Sequence, residues 1–325
     1  VTRTSFWDEF ATGRRGVGLW ALVRGVLLCA ALIGLLFVAA QIVLAAIDGQ
    51  FNAPAQFAGV TALALAALVY LLGHGLRILR LTLLIGTWRV RLRDVASFHI
   101  MTAAVTLATP LKLGEIYRVF EMSYIVGGLT RAVAITWWER VFDASILLLL
   151  LVLALANTAE ATPFRGVTVL MVLFVAVTAV VFFVAPDNLR RLSVLIIRRY
   201  ESPSTVPVLQ FIDIVRCAIL EAPRLVRGKV ASLLTLTVLI WLAQLGCFVI
   251  AMPALRGQWD AAVGSLLAFL SSLTQGASPL AALQGGHPTQ IMGQLALTQA
   301  PLVFFGLAAG TYYALRRIRA GTASA

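Results

Sequence analysis

Charge is scarce in this chain. Charged residues make up 12% of its 325 positions, and only 14 are acidic; a soluble domain carries about 25%. Hydrophobic residues reach 60% and mean hydropathy is +0.93, which excludes an ordinary soluble globule. Alternating apolar strands are also missing, and the apolar runs are too long and uniform for a membrane β-barrel. Cysteine is rare: Cys29, Cys217 and Cys247 are scattered, two in predicted spans and one in a basic loop, so neither a disulfide nor a metal framework is expected. No Gly-x-x-x-x-Gly-Lys-Ser/Thr loop, His-Glu-x-x-His or Asp-x-Asp occurs. An ATPase, a metal-dependent enzyme and a bound cofactor are therefore not expected. The longest stretch without a clear span, 186–229, is too short to fold alone, so no soluble catalytic module is expected either.

What is there is a series of apolar runs near the roughly 20 residues that cross a bilayer. They predict an all-α polytopic membrane protein. Arg14, Arg15 and Arg24 precede an apolar run over 25–47 that is longer than a signal-peptide core, so it reads as a retained first span. Phe6-Trp7-Asp8-Glu9-Phe10 before it reads as an interfacial segment. Full spans are expected at 20–46, 56–79, 132–156, 166–185, 230–252 and 291–315. Of 26 Lys and Arg, all but three fall on one side, the exceptions being Arg165 and Arg256 outside and Arg140 within a span. That is the positive-inside pattern, and it accounts for the net charge of +12 without a nucleic-acid partner. The basic side faces anionic lipid headgroups. The expected organisation is an N-terminal interfacial segment (1–19), one transmembrane domain (20–315) and a tail (316–325), with both termini cytoplasmic in a bacterial inner membrane. Within the cytoplasmic region, Val208, Phe211, Ile212, Val215 and Ile219 recur at helical spacing. They predict an amphipathic helix near 205–229 that lies on the membrane or caps the bundle.

The charge pattern closes only if 94–130 enters and returns on the inner side and 262–290 on the outer side. Each is a re-entrant hairpin or a pair of short helices, broken at Pro110 and Pro279 respectively. Two broken segments in corresponding positions of two halves are the mark of an inverted repeat with a substrate site between the repeats.

The first break holds Pro110, Lys112, Gly114, Glu115 and Arg118. A broken helix exposes N–H groups and a positive dipole end that suit a phosphate. Lys112 and Arg118 add cations, and Glu115 is three residues from Arg118 on one face. Glu139, Arg140 and Asp143 follow on a predicted span. Intramembrane charges are costly and mark functional sites by default. This cluster leaves one negative charge over, which Arg77, Lys112 or Arg118, or else a bound cation or a proton, could complement. The second break offers Gln275, Ser278, Pro279, Gly286 and His287 for headgroup contact. Gly306 and Gly310 form a small-xxx-small pair that predicts helix packing.

Pro110-x-Lys112-x-Gly114-Glu115-x-x-Arg118, followed by Glu139-Arg140-x-x-Asp143, resembles the flippase-like transmembrane domain of the lysylphosphatidylglycerol synthase and flippase family. Arg77 with Leu81 also fits, and the resemblance covers about 15–315. It implies a bundle of about eight membrane segments that passes amphipathic lipids between leaflets, with aminoacylated phospholipids or polyprenyl-linked sugars as substrates. The aminoacyl-transfer domain of the larger members is absent from this sequence, so lipid aminoacylation is not implied. The second break departs from the Pro-Gly-Gly-x-Gly-x-x-Glu type, with Thr289-Gln290 where an acidic residue is expected. The resulting expectation is a lipid translocase rather than an enzyme. The alternative is a non-transporting scaffold, or a lipid-binding partner of a glycolipid- or phospholipid-synthesis enzyme.

Overall fold

The computed structural model describes residues 17–47, 60–86, 90–109, 113–157, 165–199, 205–251 and 290–322. Every regular element among them is an α-helix: α1 (Val17–Ile47), α2 (Val60–Ile85), α3 (Leu92–Ala108), α4 (Leu113–Val126), α5 (Leu129–Asn157), α6 (Arg165–Phe183), α7 (Ala185–Arg199), α8 (Thr205–Val226), α9 (Val230–Ala251) and α10 (Gln290–Thr322). Four contain stretches long and apolar enough to cross a membrane: Gly25–Leu44 in α1, Thr61–Ile85 in α2, Arg165–Phe182 in α6 and Val230–Ala251 in α9. The spans expected at 132–156 and 291–315 coincide with α5 and α10, helices of 29 and 33 residues. Residues 262–289 of the second break lie outside the described residues, and so do Pro110 and Lys112.

The chain divides into two compact units, with boundaries inside α1, α2, α4 and α9 and before α3. The first contains Arg80–Val90 and Val119–Thr237. Here α5 packs on α6 and α8, and α7 packs on α6 and α8. Aromatic residues tie these helices together. The Trp138 indole stacks on Phe182 at 5.1 Å and donates its N–H to the Ala222 carbonyl at 2.7 Å. The amphipathic helix expected near 205–229 is α8, with Ile212 buried. A second amphipathic helix precedes it, α7, which carries Arg190, Arg191, Arg198 and Arg199 and buries none of its residues.

Polar backbone at the end of α2 is satisfied within the same unit. Gly86 adopts φ +86°, a left-handed turn open to glycine, and its N–H caps the Thr82 carbonyl at 3.0 Å. Lys229 donates to the Leu83 carbonyl at 2.7 Å and Arg131 to the Ile85 carbonyl at 3.1 Å. Two cations thus complete the last turn and complement its negative dipole end.

The second unit contains Leu22–Leu79, Arg91–Arg118 and Val238–Ala325. Its core joins Leu35 and Val38 of α1, Met101 and Ala104 of α3, Tyr117 of α4 and Val303 of α10. Helices α3 and α10 run antiparallel, because Asp94 at the start of α3 pairs with Arg316 near the end of α10. Arg93 lies over the Tyr312 ring at 4.3 Å. Midway, Gly306 abuts Ala104 and Gly310 abuts Met101, and a methyl at either would collide with its neighbours. Small residues let these backbones approach, as in close-packed membrane helices.

Candidate functional site

Each unit holds a polar cluster in otherwise apolar surroundings. In the first, Arg80 of α2 and Glu139 of α5 are both 2% exposed. The Arg80 guanidinium forks onto Asp143, with Nη1 to Oδ1 at 2.6 Å and Nη2 to Oδ2 at 3.2 Å. Such bidentate geometry is the strong form of a charge-assisted pair. Nη2 also lies 3.7 Å from the Glu139 carboxylate. Nη1 donates to the Thr237 hydroxyl of α9 at 3.1 Å, and that hydroxyl donates to the Leu233 carbonyl at 2.7 Å. Arg140, on the more exposed side, reaches Asp143 at 3.9 Å. Two cations and two anions balance, so the surplus negative charge expected for Glu139, Arg140 and Asp143 is neutralised by Arg80. This residue was not among the candidates for that role. The predicted span stopped at 79, which placed Arg80 among the topology-setting arginines; α2 continues to Ile85 and carries Arg80 into the interior. The signal was present in Leu81-Thr82-Leu83-Leu84-Ile85-Gly86, an apolar run with a helix-stopping glycine at its end.

In the second unit, α3 and α4 form a helical hairpin around the first break. Their 17 and 14 residues correspond to about 25 and 21 Å of rise, short of the roughly 30 Å hydrocarbon core. Thr109 ends α3 in extended conformation (φ −101°, ψ 137°), as expected of a residue preceding proline. Its hydroxyl donates to the Val105 carbonyl at 2.8 Å and accepts the Gly114 N–H of α4 at 3.1 Å. One side chain thus reinforces the last turn of α3, whose Val105 carbonyl also accepts the Thr109 N–H, and satisfies a free N–H at the start of α4. Gly114 is required by contact: a methyl there would overlap the backbone of Thr106. Glu115 and Arg118 follow on α4, both half-buried.

Behind the hairpin lies a pair absent from the sequence reading. His74 Nδ1 of α2 and His99 Nε2 of α3 are 3.2 Å apart, and both rings are buried. Tyr70 meets His74 edge-on at 4.8 Å. Arg77 and Arg118 both act electrostatically on His74. The second unit therefore gathers Arg77 of α2 and Arg118 of α4, two of the predicted site residues, around an imidazole pair. A lone histidine 25 residues from another gives no spacing signal; tertiary packing makes this pair. Glu121, on the part of α4 that belongs to the first unit, is buried as well.

Among the described residues, no group of three or more His, Cys, Asp or Glu is placed to hold a metal ion. The chain matches no protein-family model, no curated protein and no solved structure.

Proposed function

We propose that this chain is an integral membrane translocase of the flippase-like kind, moving an amphipathic anionic or sugar-linked lipid between leaflets without an ATPase or a chemical step of its own. The observation that carries this reading is the α3–α4 hairpin. Two helices too short to span are locked together by Thr109 and Gly114, and they present Glu115 and Arg118 just past the break. Broken helices at membrane depth are tolerated where they are buried in protein or line a cavity, and in transporters they build the substrate site. The buried charges of the first unit support the same reading, since ionisable groups among spans mark pathways.

In this reading six helices span fully (α1, α2, α5, α6, α9 and α10), with 94–130 and 262–290 as the two broken segments of an inverted repeat. Both termini are cytoplasmic in a bacterial inner membrane. Glu115, Arg118 and Lys112 contact the headgroup, with Arg77 beside them and Gln275, Ser278, Pro279, Gly286 and His287 serving the outer side. Pro110 marks the break in the sequence, Gly114 lets α4 close on α3, and Glu139, Arg140 and Asp143 form the intramembrane polar pathway.

The test is lipid scrambling in proteoliposomes of purified protein, using headgroup-labelled anionic phospholipid and polyprenyl-phosphate probes. Wild type transports at least one probe, and folded Glu115→Ala does not. Lipid binding with no transport of any probe would instead support a non-transporting, lipid-binding partner of a synthesis enzyme. A chemically altered probe would point to an enzyme.

A further inference from the structure

The amphipathic helix expected from the sequence, α8, is a packed element that contacts α5 and α7. The helix with an open face is α7. It begins at Ala185, and Val184 alone separates it from the end of α6 at Phe183. The Arg165–Phe182 stretch of α6 is long and apolar enough to cross a membrane. Pro186 has no N–H for the Phe182 carbonyl, so one helical hydrogen bond is missing at the junction and the chain can bend there. The start of α7 is thus tied to the end of a membrane-crossing stretch.

Leu189, Ser193 and Ile196 of α7 are half-buried, and the opposite face is exposed. That face carries Arg190 and Arg191, then Val194 and Leu195, then Arg198 and Arg199, which together line one open depression. The two arginine pairs are separated by about 12 Å along the helix axis. Among the described residues, none of these four arginines has a carboxylate partner. Arg80, Arg140, Arg216 and Arg316 show the ordinary solution, each facing an aspartate. Asp187 is the only acidic residue of α7, and it sits in the first turn, where the helix N-terminus favours a negative charge.

This combination names an occupant. Arginines interleaved with exposed aliphatic residues, on an amphipathic helix tied to a span, are the composition of a segment that lies in the membrane interface. There a guanidinium fork binds phosphate in bidentate fashion. The arginine stems lie along the acyl boundary beside Val194 and Leu195 while their heads stay among the headgroups. Four unanswered cations select anionic over zwitterionic lipid, because each basic residue near an anionic surface adds its own attraction.

We propose that α7 is a membrane-surface helix that binds the phosphates of anionic phospholipids through Arg190, Arg191, Arg198 and Arg199, at the leaflet where α6 ends. This does not depend on the α3–α4 hairpin or on whether the chain moves lipid.

The test is hydrogen exchange, read by mass spectrometry on full-length protein in nanodiscs of phosphatidylcholine alone or mixed with phosphatidylglycerol. Exchange across 187–199 should slow at least about fivefold in the anionic discs, the factor that one basic residue supplies at an anionic surface. The slowing should fade as salt is raised. Arg190→Gln with Arg191→Gln should lose most of it, and Gln at all four positions should lose it entirely. Lys at all four positions should keep most of it, since a point charge still feels the surface. Arg224→Gln with Arg227→Gln, an equal loss of charge at exposed positions of α8 and just beyond it, should leave it intact. Unchanged exchange across Val230–Ala251 verifies that each variant is folded. Exchange across 187–199 that is the same in both kinds of disc, or slowed equally in the quadruple Gln variant, overturns the proposal. Slowing by added heparin but not by phosphatidylglycerol also overturns it, in favour of a soluble acidic partner.

Discussion

The two buried polar clusters solve one problem in opposite ways. In the first unit, full charges are kept and matched: Arg80 forks onto Asp143, reaches Glu139 and uses Thr237 as a further acceptor. In the second, two imidazoles meet in place of an ion network: His74 Nδ1 lies 3.2 Å from His99 Nε2. A matched ion network is rigid because removing any member strands the rest in a medium that solvates them poorly. A shared imidazole contact asks for one hydrogen bond and tolerates loss better. The first cluster is therefore expected to dominate stability, and the second to be adjustable.

The largest effect tests that ranking directly. Arg80→Met strands Glu139 and Asp143 and should cost about 3–5 kcal/mol, read as a lower unfolding midpoint in lipid nanodiscs. Arg80→Lys should recover only part, since a point charge cannot fork. Adding Glu139→Gln and Asp143→Asn to Arg80→Met should recover most of it. An Arg80→Met protein as stable as wild type would remove the distinction between the clusters.

Next in size is the hairpin. Gly114→Ala drives a methyl into the Thr106 backbone and should cost about 1–3 kcal/mol, the usual range for overpacking. Gly306→Ala on α10, against Ala104, serves as a control. Both should destabilise, but only Gly114→Ala should change transport in protein that remains folded. Equal transport by the two variants would reduce the hairpin to a packing element.

The smallest effect belongs to the histidines. A double-mutant cycle with His74→Leu and His99→Leu should give a coupling of about 1 kcal/mol, that of one buried hydrogen bond. The Arg80–Asp143 cycle should give several times more. Comparable couplings would mean that the imidazole pair carries charge.

How far the sequence reached follows from the same contrast. Long apolar runs set by bilayer thickness were legible: 166–185 became Arg165–Phe183 and 230–252 became Val230–Ala251. Thr109-Pro110 correctly marked the end of α3, because the residue before proline avoids helix. Charged residues at span edges were harder to place. Arg80 was read as a topology signal because composition alone does not say whether an arginine at the end of an apolar run snorkels outward or meets Asp143 on another helix 63 residues away. The basic helix α7 falls within the cytoplasmic region of the sequence analysis, since its arginines outweigh the apolar stripe of Leu189, Leu192 and Ile196. His74 and His99 left no periodic trace. Local patterning thus yields the elements, and the partners across helices belong to the fold.

The most direct test of the central claim is headgroup-labelled lipid scrambling by purified protein in proteoliposomes, with wild type set beside Asp143→Asn. The variant keeps the size of the side chain and removes the charge that Arg80 grips. Transport by wild type, reduced at least about tenfold in a folded Asp143→Asn protein, is the result this account predicts for a residue on an intramembrane polar pathway. Scrambling no faster than empty vesicles for every probe, or undiminished in Asp143→Asn, would contradict it.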